Sequence, residues 1–414
     1  MAKAQRKTSL AVVYPAEQKF ECRDCPARCC RSGWAIPVSP ETAHFILHDE
    51  ELRQRLTGRG PAILASGTLP MVERERVLQC VFLDDDLLCA VQKKHGHSAI
   101  PEACQAFPFG FMKDEQQRPV AQLSRYCPSI RDNYGKPLAE VVQDKLKQAG
   151  GAKPIAPRMG LKSGRTLPKE QYLLLADAWR ELLHDNPADA VMHAYELTDR
   201  FDEALKPSEP STEQVRQALA AAAEQPSSPL ARRNAGFSAR LLFAHLFGSL
   251  TYPVRLLTDF AVRRPTLLAR LQAGLIKLRW LFGLGRAELL HVPGKVPLGA
   301  IERVARFLDT PQAQPINAYL RELLDRRQPF ARPTYLARAL VDLGFAVALI
   351  SRYARARAAA AGLSQVREAD VAEGIGIAEL TLSHDAEQGM VMSQLRLQLM
   401  SDPDAFRKLL ASEA

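Results

Sequence analysis

Four cysteines, Cys22, Cys25, Cys29 and Cys30, fall within nine positions, and four more follow at Cys80, Cys89, Cys104 and Cys127. The chain from there to Ala414 has none. Thiolates are soft ligands, and a Cys-x-x-Cys knuckle turns the backbone so that two of them converge on one ion. Cys22 and Cys25 have that spacing, and Cys29 is near enough to add a third ligand from the same loop. Cys30 is harder to place, because adjacent side chains on extended backbone point to opposite faces. Either Cys29 and Cys30 serve two different centres, or one of them is a buried structural thiol.

Eight cysteines divide into two sets of four. That fits two closed four-thiolate sites, or one iron–sulfur cluster with one zinc, and His95 or His97 could replace a thiolate in either. Arg23, Arg28 and Arg31 flank the early ligands and would offset the negative charge of such a centre. Proline follows Cys25 and Cys127, as in ferredoxin-type loops and in zinc sites. The order C-x2-C-x3-C differs from the radical-SAM order C-x3-C-x2-C. Reduced thiols buried for packing are the competing reading, but they would be scattered over the whole chain. A redox pair at Cys22 and Cys25 would need a βαβ context, which the pattern lacks.

Positioning these groups falls to a module over residues 15–137. SPETAHFILHDEELRQRL, starting at Ser39, reads as one helix with Ser39 as cap and Pro40 at its first position. CVFLDDDLLCAV reads as a β-hairpin that turns at Asp84–Asp86 and carries Cys80 and Cys89 near its ends. Residues 138–165, rich in Gly, Pro and Lys, read as a linker. Residues 166–414 show helical periodicity throughout and no alternation long enough for a sheet. The expected fold class is therefore mostly α: a small irregular α+β metal-cluster module with a β-hairpin, followed by an α-helical domain.

CRDCPARCCRSGW, CVFLDDDLLCAVQKKHG, PEACQAFPFGF and LSRYCPSI occur in this order within the first third of the chain. In these four motifs the module resembles the YkgJ-type cysteine-cluster family of zinc- or iron-chelating proteins. Within that resemblance, the flagellin lysine N-methylases combine a similar module with a long helical continuation. The resemblance implies that Cys22, Cys25, Cys29, Cys30, Cys80, Cys89, Cys104 and Cys127 are metal ligands. It also implies protein-lysine N-methylation with S-adenosylmethionine, and no catalytic residue carries over. Gln105 departs from the family, whose members often carry Arg there; if that Arg holds the cluster or an anion, its role here is vacant or filled by Arg125. The alternative to an enzyme is a non-catalytic, metal-stabilised module whose helical domain recruits a protein partner.

Other signals are plainer. GLGRAE at 283 and GIGIAE at 374 sit in helical pattern with no strand before them, so they read as helix glycines and not as cofactor loops. His44 and His48 share a helix face without the glutamate of a HExxH site. Between Arg232 and Arg286, Arg263, Arg270 and Lys277 recur every seven residues, as do Arg279 and Arg286. They are expected to form a basic stripe at the surface of a helix packed on Leu267, Leu271, Leu275, Leu278 and Phe282. An acidic protein partner or an anionic membrane surface would suit that stripe; nucleic acid suits it less, because aromatic residues are sparse. RYARARAAAAG places arginines where they satisfy a helix C-terminus. The formal charge of +9 is thinly spread over 414 residues. The basic N-terminus has no apolar h-region, and the nearest long apolar run, Leu343–Ile350, is too short to span a bilayer. A cytoplasmic location is expected, where thiols stay reduced.

Overall fold

The computed structural model describes residues 11–22, 25–33, 36–58, 60–74, 77–184, 186–206, 209–231, 236–252, 267–383 and 389–414. The fold is mostly α-helical, with small antiparallel sheets of two or three strands. Arg23, Trp34, Arg263 and Asp259 lie outside the described residues.

The cysteine-bearing region has two small cores. One gathers Ile46, Leu52, Leu64, Leu78, Phe82 and Val91. The other gathers Phe20, Phe109, Phe111, Ala121, Ile130 and Leu138, with Phe20 edge-on to Phe109 at 5.0 Å. Strands Phe109–Lys113 and Pro119–Leu123 form a hairpin under the second core, and Lys19–Phe20 pairs with Lys136–Pro137. Ser39 caps Pro40–His48 as its sequence requires, its hydroxyl accepting from the Thr42 N–H. The single helix expected there is broken, however. Asp49 leaves the helical region, accepts from the Leu52 N–H and starts a second helix, Glu50–Gln54. An Asp satisfies orphan N–H groups better as a cap than within a helix.

The expected hairpin around Asp84–Asp86 is also corrected. The strand pair is Met71–Arg74 with Val77–Cys80, and the acidic segment is a loop closed by one bridge between Leu83 and Cys89. The chain does reverse at Asp84–Asp86, with the Ala90 N–H donating to Phe82 O at 2.8 Å and the Asp84 N–H to Leu88 O at 3.0 Å, but no extended arms follow; Asp84 pairs with Arg55 and, at 3.0 Å, with Lys93. Residues 138–165, expected to link two parts, are built into both. Leu138 and Val142 lie in the second small core, whereas Ile155, Ala156, Met159 and Leu161 lie in the main core of the helical body. Arg158–Gly160 and Thr166–Pro168 pair as a short hairpin.

Leu336–Ala360 is buried almost all round and forms the axis of the helical body. The arginines at its C-terminal end do more than satisfy the helix dipole. Arg355 is fully buried, 3.2 Å from the buried Glu413 and 3.2 Å from Glu302, and Arg357 pairs with Asp370 at 3.1 Å. AIERVARFLDT, expected to be helical, forms a 3-10 turn over Leu298–Arg303 and then a loop.

Helix Leu267–Phe282 faces the opposite way from the expected one. Ile276, Trp280 and Leu281 are its buried positions, while Leu267, Leu271, Leu275, Leu278 and Phe282 are exposed. Trp280 decides the orientation. Its ring lies 5.0 Å from Phe247 on the Phe237–Ser249 helix, and its Nε1–H donates to Thr251 Oγ1 at 2.9 Å. A buried indole needs such a partner, and it finds one only on the face turned to the body.

Helix Glu368–Ser383 joins the body to the cysteine-bearing region. Gly374 lets it pack on Leu336–Ala360, since a Cβ there would lie 2.9 Å from Ile350 O; at Gly376 a Cβ would lie 3.2 Å from Arg125 O. From the same helix Glu373 accepts from Arg28 Nη1 at 2.7 Å and also pairs with Arg131. Removing one member of a buried ion pair leaves the other charge uncompensated. Glu373→Gln is expected to cost about 2–3 kcal/mol, below the full cost of a buried pair because water reaches part of this one. Urea denaturation measures it; a loss under about 0.5 kcal/mol, the level of a surface substitution, would show that the pair does not hold the two parts together.

Candidate metal centre

Each cysteine sits where a backbone turn is fixed by something else. Cys22 follows the Lys19–Phe20 strand, and the neighbouring Glu21 N–H donates to Ser129 Oγ at 2.7 Å. Gly135, with φ +108°, makes this closure possible, since a Cβ there would lie 2.5 Å from the Phe20 carbonyl carbon. Cys127 precedes the short helix Pro128–Arg131, which contains Ser129. The first and last cysteines of the chain are therefore tied together by local hydrogen bonds.

Cys29 and Cys30 lie on a 3-10 turn, Arg28–Arg31. The opposite-face expectation applies to extended backbone; on this turn the two Sγ atoms are 3.9 Å apart. Cys80 ends the Val77–Cys80 strand and its sulfur accepts from the Phe82 N–H at 3.4 Å. Cys89 is the residue before helix Ala90–His95, and Cys104 lies in helix Glu102–Ala106. All eight cysteines are among the described residues, and none forms a disulfide.

Burial and mutual repulsion raise the thiols together. Burial raises the Cys22 thiol to about 11, with Cys29 and Cys25 adding to the rise. Burial raises Cys127 to about 12, with Ile130 and Ser129 N–H groups opposing and Cys29 and Cys25 adding. Cys30 is raised by burial and by Cys80, Cys104 and Cys89, against the favourable hydrogen bond from Cys29. Burial is the first cause at Cys80 and Cys104; Cys80 also feels Cys89, Cys104 and Cys29, and Cys104 feels Cys29, Cys89 and Cys22. Packing separates them more clearly, since Cys30, Cys80, Cys89 and Cys104 all belong to the core around Ile46, whereas Cys127 belongs to the core around Phe109. Cys29 stands beside the first group through Cys30.

Among the described residues, no group of three or more His, Cys, Asp or Glu side chains stands in ligand geometry around a single point. The donor chemistry nonetheless suits a metal. Five of the eight free thiols, Cys30, Cys80, Cys89, Cys104 and Cys127, lie in or against two small apolar cores, and burial favours the neutral form until a cation supplies the opposing charge. Arg28 Nε and Nη2 and Arg31 Nε are buried with no hydrogen-bond partner among the described residues. These are the donors that a negatively charged thiolate centre beside the turn would need.

No family model, no curated protein and no solved structure matches the chain.

The histidines have other partners. His95 Nε2 lies 2.7 Å from Asp49 Oδ2, and its ring meets Phe45 edge-on at 4.8 Å. His44 and His48 stack at 3.9 Å, with His48 Nδ1 2.8 Å from His44 O. Gln105 uses its amide on Ile100 O at 2.7 Å, and its carbonyl accepts from Lys145 Nζ at 2.6 Å. Arg125, the substitute expected for the family's Arg, points into the body and pairs with Glu322 at 2.8 Å.

Sequence reading missed the carboxylates that hold the site from behind. Glu373 braces Arg28, next to Cys29. Glu379 accepts from Ser124 Oγ at 2.9 Å and from the Tyr126 N–H at 3.1 Å, one residue before Cys127. The available signal was GIGIAE itself, because two glycines inside one helix mark a face that another backbone approaches.

Burial raises the Glu379 carboxyl to about 7; Ser124 and Tyr126 oppose the rise and Glu322 adds to it. Between the ordinary carboxylate range and about 7 the folded chain therefore keeps a proton that the unfolded chain has released. Stability from this group is present at low pH and is lost as pH rises through about 7. The stability of the natural chain relative to Glu379→Gln is expected to fall by about 3 kcal/mol between about pH 5 and pH 8. Denaturation curves across that range test it; a constant difference would mean that Glu379 is ionised throughout.

Proposed function

We propose that the chain is a metal-cluster protein in which Cys22, Cys25, Cys29 and Cys127 form one four-thiolate centre and Cys30, Cys80, Cys89 and Cys104 form another. The observation that carries this reading is the packing: Cys30, Cys80, Cys89 and Cys104 share one small core, Cys22 is tied to Cys127 through Glu21 and Ser129, and Cys29 stands at the junction, 3.9 Å from Cys30. Both sets meet on one 3-10 turn flanked by buried guanidinium donors that lack partners. Iron–sulfur clusters and zinc both fit four thiolates, and either supplies the positive charge that the buried sulfurs lack. The protein's part is to fix the turns, exclude water and give up the thiol protons on loading.

Metal and acid-labile sulfide content after anaerobic purification tests the reading. Cys127→Ser and Cys104→Ser are each expected to lose about half of the bound metal, and the double variant nearly all of it. Full metal content in both single variants would remove the two-centre assignment. A brown protein with labile sulfide identifies iron–sulfur, and a colourless one with zinc identifies zinc.

Protein-lysine N-methylation rests on the resemblance of the four cysteine motifs. Two surface pockets, about 250 Å³ beside Lys113 and Glu170 and about 210 Å³ beside Arg279 and Lys295, are smaller than the roughly 300–1,000 Å³ of ordinary small-molecule sites. Neither is lined by a cysteine. If the enzyme reading holds, calorimetry on the metal-loaded protein gives a saturable heat with S-adenosylmethionine. No heat at millimolar ligand would leave the non-catalytic, metal-stabilised interaction module.

A further inference from the structure

Helix Leu267–Phe282 presents an apolar face that none of the described residues covers. Leu267 is 76% exposed, Leu268 77% and Phe282 61%, and Leu271, Leu275 and Leu278 are also exposed. At 3.6 residues per turn these six side chains fall within an arc of about 100°. The arc lies opposite the face pinned to the body by Ile276 and Trp280. Exposed Arg279 borders one edge and exposed Arg270 the other. No Asp or Glu occurs between Asp259 and Glu288. Beyond Arg279 the pocket of about 210 Å³ is lined by Leu275, Arg279, Arg286, Glu288 and Lys295; Lys295 pairs with Glu288 at 3.7 Å, and Arg279 and Arg286 carry the cationic edge from the leucine arc into a concavity.

We infer that this face docks on an anionic lipid surface, with the leucines and Phe282 in the acyl boundary and Arg270, Arg279 and Arg286 at the headgroup phosphates. A broad apolar arc with cations on both edges is the pattern of a helix lying in a membrane interface. The helix lies on the bilayer and does not cross it, since among the described residues none is long and apolar enough to span. A second copy of the chain suits the face less well. A two-fold interface sets a patch against itself, which would bring arginines onto arginines with no acidic side chain in the segment to pair with them. An anionic surface complements both the charge and the apolar area.

Co-sedimentation of the purified full-length protein with vesicles tests this. Binding is expected to vesicles of phosphatidylcholine with phosphatidylglycerol, and not to phosphatidylcholine alone. Arg270→Gln with Arg279→Gln is expected to weaken it about thirtyfold, at about fivefold for each basic residue near the surface. Leu271→Glu with Leu278→Glu is expected to abolish it while leaving the circular dichroism unchanged, because both side chains are exposed. Equal binding to both vesicle types, or none to either, overturns the inference. So does vesicle binding that survives the double leucine variant, or a dimer that the leucine variant splits while lipid binding persists.

Discussion

The site depends on one half-buried carboxylate, Glu373, shared between two arginines from distant parts of the chain. Arg28 comes from the turn that carries Cys29 and Cys30, and Arg131 from the short helix behind Cys127. Neither small core near the cysteines is large enough to fix these segments alone, and small cores are weak stabilisers. The Glu368–Ser383 helix supplies the missing constraint. Gly376 allows close approach of the backbones, Glu373 orients the arginines, and Glu379 holds the Ser124–Tyr126 segment. Replacing water around three charges is expensive, so this arrangement serves register more than stability. It sets where the first and last cysteines stand relative to each other.

With the segments so placed, burial dominates the chemistry of the thiols. Every cysteine for which a value or direction stands is raised, and each one's charge would raise its neighbours further. Eight thiolates could not be held this way without cations among them. Arg28 stacks over Tyr126 at 4.8 Å with two donors to spare, and Lys145 lies near Phe20 and Phe109 with its charge disfavoured by burial. As neutral thiols they need no counter-charge; in the centres proposed, metal ions would supply the charge that Arg28 and Lys145 alone do not.

Parts of this were legible in the sequence, for identifiable reasons. Ser39–Pro40 and Ser211 announce helix starts because a hydroxyl that can reach an orphan N–H acts locally, and Ser211 forms a full capping box with Gln214. The grouping of cysteines was legible because their count and confinement to the first third are sequence facts. The linker reading failed because Gly and Pro report backbone freedom and not burial; Ile155 and Met159 go into the main core regardless. The leucine face failed for a related reason. Periodicity finds a face but not which way it turns, and Trp280 with its hydrogen bond turned it outward. The buried arginines of Leu336–Ala360 were illegible because their partner, Glu413, lies at the far end of the chain.

Adjacent cysteines ordinarily compete, since one ion rarely takes both without strain. The 3-10 turn changes this. Its tighter winding rotates successive side chains by about a third of a turn and not a half, so Cys29 and Cys30 diverge toward different partners while their sulfurs stay in contact at 3.9 Å. Cys29 couples to Cys30 and is a cause of the rise at Cys80, Cys89 and Cys104 as well as at Cys22 and Cys127. Two four-thiolate centres of the kind proposed would therefore be coupled through this turn, and the charge held by one would set the cost of charging the other. The turn that joins them is the segment Glu373 holds through Arg28, so the helical body bears directly on both.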